Sequence, residues 1–194
     1  RHGQSEGNVD GIIQGHSDYP LTELGRKEAK LLGAYFKNVE VDALYSSDLM
    51  RAMDTAAYIE KNTGLSKTTM KILQEIHLGK LEGKKRSDVI KTYPFLKKGS
   101  LLTSGLEGAE TVNEITERCR DLKSYMLENH ADENVVVVSH GGFISIFLIY
   151  LLIGEKWSED YRRPFLINNT GITKVEVTEG RSTILYVNRL PHLE

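Results

Sequence analysis

Two imidazoles, two guanidiniums and a carboxylate sit in short segments rich in glycine and serine. The chain opens with Arg1-His2-Gly3-Gln4-Ser5-Glu6-Gly7-Asn8. Ser46-Ser47-Asp48-Leu49-Met50-Arg51-Ala52, Leu73-Gln74-Glu75 and Ser139-His140-Gly141-Gly142 follow in that order. A neutral histidine is a nucleophile near pH 7, guanidiniums grip phosphate oxygens in bidentate fashion, and a carboxylate can move a proton. The inventory points to phosphoryl transfer. Taken singly, each residue has a plainer reading: His140 as a helix cap, Arg1 and Arg51 as surface ion-pair partners, Glu75 as a solvated loop acid.

The elements that must position these groups alternate between helix and strand patterns, the mark of an α/β fold. Thr22 is placed to cap a helix whose apolar face would be Leu24, Ala29, Leu31, Leu32 and Phe36. Val41 to Tyr45 reads as a short strand, and Asp48 as the cap of a helix that turns Met50, Met53, Ala57 and Ile59 inward. Met70 to Leu73 is a further strand candidate ahead of Glu75. A short helix should end at Tyr93, stopped by Pro94. Ile115, Cys119, Leu122 and Met126 predict a long helix over Thr111 to His130.

The unbroken run Val135 to Val138 is expected of a central parallel strand covered on both faces. It feeds His140 and then the apolar stretch Phe143 to Ile153, read as a buried helix too short to cross a bilayer. Ligands of open α/β sheets lie outside the carboxyl ends of strands, and helix N-termini favour anions, so His140-Gly141-Gly142 stands where a site is expected. Gly171 to Val177 and Ser182 to Val187 read as two last strands. The fold expected is a three-layer α/β/α domain with a mostly parallel central sheet, spanning 1–194 as one unit. Gly79 to Glu110 would form a small cap insertion.

With 25 basic and 27 acidic side chains, the net charge of −2 argues against broad nucleic-acid binding. An anion site must then be built from a few aimed groups. The single cysteine, Cys119, rules out an internal disulfide framework and suits a reducing, cytoplasmic compartment. His2, His16, His77, His130, His140 and His192 show no metal-ligand spacing such as HExxH. No G-x-S-x-G elbow is present, against a serine hydrolase.

Read together and in order, the four segments resemble the motifs of the histidine phosphatase superfamily, closest to its phosphoglycerate-mutase-like branch, which includes broad-specificity and alpha-ribazole phosphatases. The similarity runs from Arg1 to about Val177. It implies that His2 is the nucleophile, forming a phosphohistidine. It also implies that Arg1, Arg51 and His140 hold the phosphoryl oxygens with help from Asn8, and that Glu75 protonates the leaving oxygen and then activates water. Gln14 and Gly15 match a segment lining the substrate entrance, and Gly141 and Gly142 would let the substrate approach the backbone. The family carries a central strand ahead of the Arg-His-Gly turn, so a native N-terminal strand missing from this sequence is expected.

Two departures stand out. Gly108-Ala109-Glu110-Thr111 replaces a usual Gly-Gly-Glu-Ser, and Leu81 stands where a Trp is common. The resemblance implies a histidine acid-type phosphatase, a phosphoric monoester hydrolase with a small phosphorylated metabolite as partner. No metal or other cofactor, no nucleic acid and no membrane is expected. The alternatives are a cofactor-dependent phosphoglycerate mutase and a non-catalytic phospholigand-binding module. Arg86, with Lys80, Lys84 and Lys85, could meet a second anionic group or form a solvated basic loop. Tyr19, Tyr93 and Phe95 could stack on a base or pack into the cap.

Overall fold

The computed structural model describes residues 1–97, 100–159 and 165–194, without the side chain of Lys97. Strand β1 (Ala43–Ser46) lies between β2 (Lys67–Thr69) and β3 (Val135–Val138) and runs parallel to both. Alternation along these strands sends side chains to opposite faces. Leu44, Val136 and Val138 meet α2 (Glu23–Phe36) and α3 (Met50–Thr63), whose Leu32, Phe36, Ala52, Ala56 and Ile59 complete one core. Ala43, Tyr45, Val135 and Val137 face a second core with α5 (Val112–Asn129) and α6 (Gly141–Ile153), through Ile115, Cys119, Leu122, Phe143 and Ile146. These are the three layers expected of the sequence.

Local chemistry sets the helix ends. Thr22 accepts the Gly25 amide at 2.9 Å and starts α2. Thr111 and Glu114 form a reciprocal capping box on α5, so the departure at Gly108 to Thr111 leaves the helix start intact. The single turn α1 (Glu6–Val9) precedes α2, and α4 (Arg86–Thr92), followed by Pro94, precedes α5.

Several elements differ from the reading of the sequence. Leu24 and Leu31 are exposed, and α2 buries Ala29, Leu32 and Phe36 with Gly25 and Gly33. Helix α3 is rotated by about one residue from the expected phase: Met50 is exposed, while Arg51, Ala52, Thr55, Ala56 and Ile59 face inward. Asp48 does not cap it; its carboxylate accepts from Gln74 Nε2 at 2.7 Å. The strand after α3 is Lys67–Thr69, and Lys71–Leu73 is a 3-10 turn.

The apolar stretch forms α6 and, with the turn Gly154–Ser158, makes an 18-residue run of mean hydropathy 1.3, long and apolar enough to cross a bilayer by those measures alone. Half of that run is buried inside the fold, as in a core helix.

The sheet is also divided. Strands β4 (Ile172–Val177) and β5 (Ser182–Arg189) pair antiparallel as a hairpin separate from the parallel sheet. Val135 to Val138 is therefore the outer strand of its three-stranded sheet. The first two residues bridge the gap. His2 N–H donates to Ser139 O at 3.0 Å, Thr170 N–H donates to His2 O at 3.2 Å, and Arg1 N donates to Gly171 O at 3.2 Å.

Within 79–110, Leu81, Val89, Leu96, Leu101 and Leu102 are buried in the same core as α5 and α6. Lys98, Gly99 and the Lys97 side chain lie outside the described residues of that segment.

Candidate active site

Arg1, His2, Asn8, Gln14, Gly15, Arg51, Glu75, Gly141 and Gly142 all line one cavity of about 560 Å3. His140 adjoins it without being part of the lining: the ring is fully buried beside His2, with ring centroids 5.1 Å apart. The cavity sits where β3 ends and α6 begins, outside the carboxyl end of the parallel sheet.

His2 is held from several sides. Its backbone joins the two sheets, and Asn169 Nδ2 donates to its carbonyl at 3.1 Å. Its Nδ1 lies 2.7 Å from Gly3 O, and since a carbonyl only accepts, Nδ1 carries the proton. Nε2 is left with its lone pair. Burial pushes the pKa of His2 well below its usual value, and the positive charges of Arg1 and Arg51 push the same way. The ring is neutral at pH 7.

Arg51 is buried on α3. Its Nη1 donates to Ser17 O at 3.0 Å and its Nη2 to Gly15 O at 2.8 Å, with Asp18 Oδ1 3.6 Å away. These contacts fix the plane of the guanidinium. Its Nε is buried with no partner among the described residues. Arg1 is anchored through Nη1 to Ile167 O at 2.7 Å. Two guanidiniums beside two neutral imidazoles give the site a local positive charge that the net charge of the chain does not show. Asn8 Oδ1 accepts from Ser5 N, Ser5 Oγ and Asn169 Nδ2, leaving Nδ2 as the group it can offer.

Glu75 shows why a glycine stands at position 142. Its carboxylate accepts the Gly142 amide at 3.0 Å and the Phe143 amide at 2.8 Å. A Cβ on Gly142 would stand 2.5 Å from Glu75 Oε1 and 2.9 Å from Leu102 Cδ2, closer than side-chain atoms approach. His140 occupies the N-cap position of α6 but makes no capping bond, so the plain reading of it as a cap fails. The carboxylate that satisfies the helix amides is that of Glu75.

Other side chains bear on the site that the motifs did not single out. Thr55 Oγ1 accepts the Gly3 amide at 3.0 Å and donates to Arg51 O at 2.7 Å, tying the Arg-His-Gly turn to α3. Arg118 pairs with Glu110 at 3.2 Å, lies over the Phe143 ring, and reaches toward Glu75 O at 3.5 Å. Thr55 stands one helical turn after Arg51, a signal available in the sequence; Asn169, in a polar loop far along the chain, offered none. Of the basic run, Arg86 lines the cavity, with Leu78, Leu101 and Leu102 as apolar wall. Tyr19, Tyr93 and Phe95 are not in the lining. Tyr93 packs edge-on against Phe95 and against the core shared with α5 and α6. Among the described residues, no three His, Cys, Asp or Glu side chains cluster as metal ligands would.

Comparison with known proteins decides the family. The sequence model of the histidine phosphatase superfamily (branch 1) matches residues 1–190. The chain belongs to this superfamily. It is 32% identical over 195 residues to a Hydrogenobacter thermophilus protein provisionally named phosphoserine phosphatase 2, covering 99% of this chain and 94% of that one. It is 30% identical over 183 residues to a broad-specificity phosphatase of Saccharomyces cerevisiae, covering 91% and 76%. Among solved structures, a mycobacterial glucosyl-3-phosphoglycerate phosphatase with VO3 superposes with a TM-score of 0.82 at 28% identity, covering 97% and 96%. The phosphoglycerate-mutase-like fold and the superfamily expected from the four segments are those found.

Proposed function

We propose that this histidine phosphatase is a metal-independent phosphomonoesterase that hydrolyses a small phosphorylated metabolite through a phosphohistidine on His2. The observation that carries the reading is the His2 tautomer: Nδ1 is committed to Gly3 O, so Nε2 is an unprotonated nucleophile beside two guanidiniums and across one cavity from Glu75.

In this reading Arg1, Arg51 and His140 bind the phosphoryl oxygens, with Asn8 as a further donor. His2 Nε2 attacks phosphorus and forms the P–N bond as the P–O ester bond breaks. Glu75 delivers its proton to the departing alkoxide. A water then enters, Glu75 takes its proton, oxygen bonds to phosphorus, and the P–N bond breaks to release inorganic phosphate and restore His2. The guanidiniums neutralise the charge on the equatorial oxygens, the task a metal ion performs in other phosphoryl-transfer sites.

Gln14 and Gly15 shape the entrance, and the relatives' names support a small phosphorylated substrate. The lowered pKa of His2 supports the acid-type assignment, since the nucleophile stays unprotonated on the acid side of neutrality. The lone Cys119 supports a cytoplasmic setting.

The test is hydrolysis of para-nitrophenyl phosphate in EDTA by the protein and by its His2→Ala variant. Release that survives chelation and disappears in the variant supports the reading. Release that needs a metal, or that persists in the variant, defeats it. Isomerisation of 3-phosphoglycerate primed by a bisphosphate, without net hydrolysis, would replace it with a mutase.

A further inference from the structure

Ser47 Oγ and His140 Nε2 meet at 2.8 Å, both side chains wholly buried. The same oxygen accepts the Leu49 amide at 3.2 Å. His140 Nδ1 is buried and meets no protein group among the described residues. These three facts bear on where the imidazole proton sits.

If Nε2 carried the proton, two N–H groups would converge on Ser47 Oγ. The hydroxyl hydrogen would then be buried with no acceptor among the described residues, and Nδ1 would hold a bare lone pair. If Nδ1 carries the proton, the Ser47 hydroxyl donates to Nε2 while accepting from Leu49. Every bond on that side is then made, and only one N–H is left over. An N–H is what an anion site needs; a lone pair there would repel phosphoryl oxygens.

We propose that Ser47 is a positioning residue that fixes His140 in its Nδ1–H tautomer, so that this ring offers a neutral hydrogen-bond donor to the phosphoryl group. The proposal rests on the phosphatase reading for its purpose, but the tautomer itself is a property of the resting protein. Ser46 supports the arrangement, since its hydroxyl donates to Ser47 O at 2.8 Å and holds the turn. His140 thereby complements His2: one ring keeps its lone pair for phosphorus and the other offers its N–H to a phosphoryl oxygen.

The test is a long-range proton–nitrogen correlation spectrum of the 15N-labelled protein at pH 7.5, which separates protonated from bare ring nitrogens, with His140 assigned by substitution. The expected spectrum shows a protonated Nδ1 and a bare Nε2 on His140. Ser47→Ala should move that pattern toward the other tautomer and reduce kcat/KM and orthovanadate affinity by about ten-fold, the loss of one hydrogen bond. A wild-type ring protonated on Nε2 overturns the proposal. So does a folded Ser47→Ala protein that keeps the Nδ1–H tautomer, whatever its rate. The wild-type spectrum decides even where the variant does not fold. Loss of activity in His2→Ala tests the phosphatase reading separately.

Discussion

His2 Nδ1 donates to the carbonyl oxygen of Gly3 at 2.7 Å, so the ring is oriented by its own neighbour in sequence. The turn that allows this contact is locked in its turn by Thr55, which accepts the Gly3 amide. The backbone and tautomer at His2 are thus set by its neighbour Gly3 and by Thr55, 52 residues further along the chain. In the proposed reaction the rest of the fold supplies charge and a proton.

The burial that keeps His2 and His140 neutral makes stability depend on pH. Both have pKa values well below 6.5 in the folded chain, chiefly from burial and then from nearby guanidiniums. Below pH 6.5 the unfolded chain binds protons that the folded one does not. Stability is therefore present above that pH and lost as pH falls, by up to about 1.4 kcal/mol per pH unit for each histidine. Urea titrations at pH 7.5, 6.5 and 5.5 should show this decline, and His140→Asn should flatten it. A midpoint that does not change over that range would contradict it.

Thr55→Val keeps the shape of the side chain and removes its hydroxyl. The buried Gly3 amide loses its acceptor, at a cost of about 1–3 kcal/mol. Denaturant unfolding reads the loss, and kcat should fall with it because the turn holding His2 loosens. An unchanged unfolding midpoint would show that the contact carries nothing.

Gly142→Ala puts a methyl group on the Glu75 carboxylate. We expect a folded protein with normal far-ultraviolet circular dichroism and kcat lower by about 100-fold, as a misplaced acid/base group gives. A variant with wild-type kcat would mean that Glu75 need not sit where it is.

Glu75→Gln separates the carboxyl group's proton from its place in the helix cap. The variant must present an amide to backbone N–H groups, so its absolute rate mixes two effects. The ratio between substrates does not. Alkyl phosphates, whose leaving oxygen needs a proton, should slow by about 100-fold or more relative to para-nitrophenyl phosphate. Equal losses on both would remove Glu75 from the general-acid role.

What the sequence disclosed and what it withheld follow from the range of the interactions involved. Thr22, the Thr111–Glu114 box and the existence of the Val135 to Val138 strand depend on neighbours a few residues apart, and they were legible, whereas the expected central place of that strand was not: it is the outer strand of its sheet. The phase of α3 was not, because Met50 is more apolar than Arg51 and periodicity alone turns the methionine inward. The fold turns Arg51 inward instead, since the carbonyls of Gly15 and Ser17 await its guanidinium. Glu75 was legible as an acid but not as the cap of α6, a contact across 67 residues. The Ser47–His140 contact spans 93 residues and was equally hidden. Side chains that carry charge announced themselves by type, and those that orient them became visible only through the fold.

The most direct test is to stop turnover with alkali within the first cycles on a labelled phosphomonoester and map the phosphorylated peptide. The expected result is an acid-labile, alkali-stable phosphate on His2, which is absent from His2→Ala and disappears as substrate is exhausted. Turnover with no phosphoenzyme at any time, or a phosphate on a residue other than His2, would contradict it.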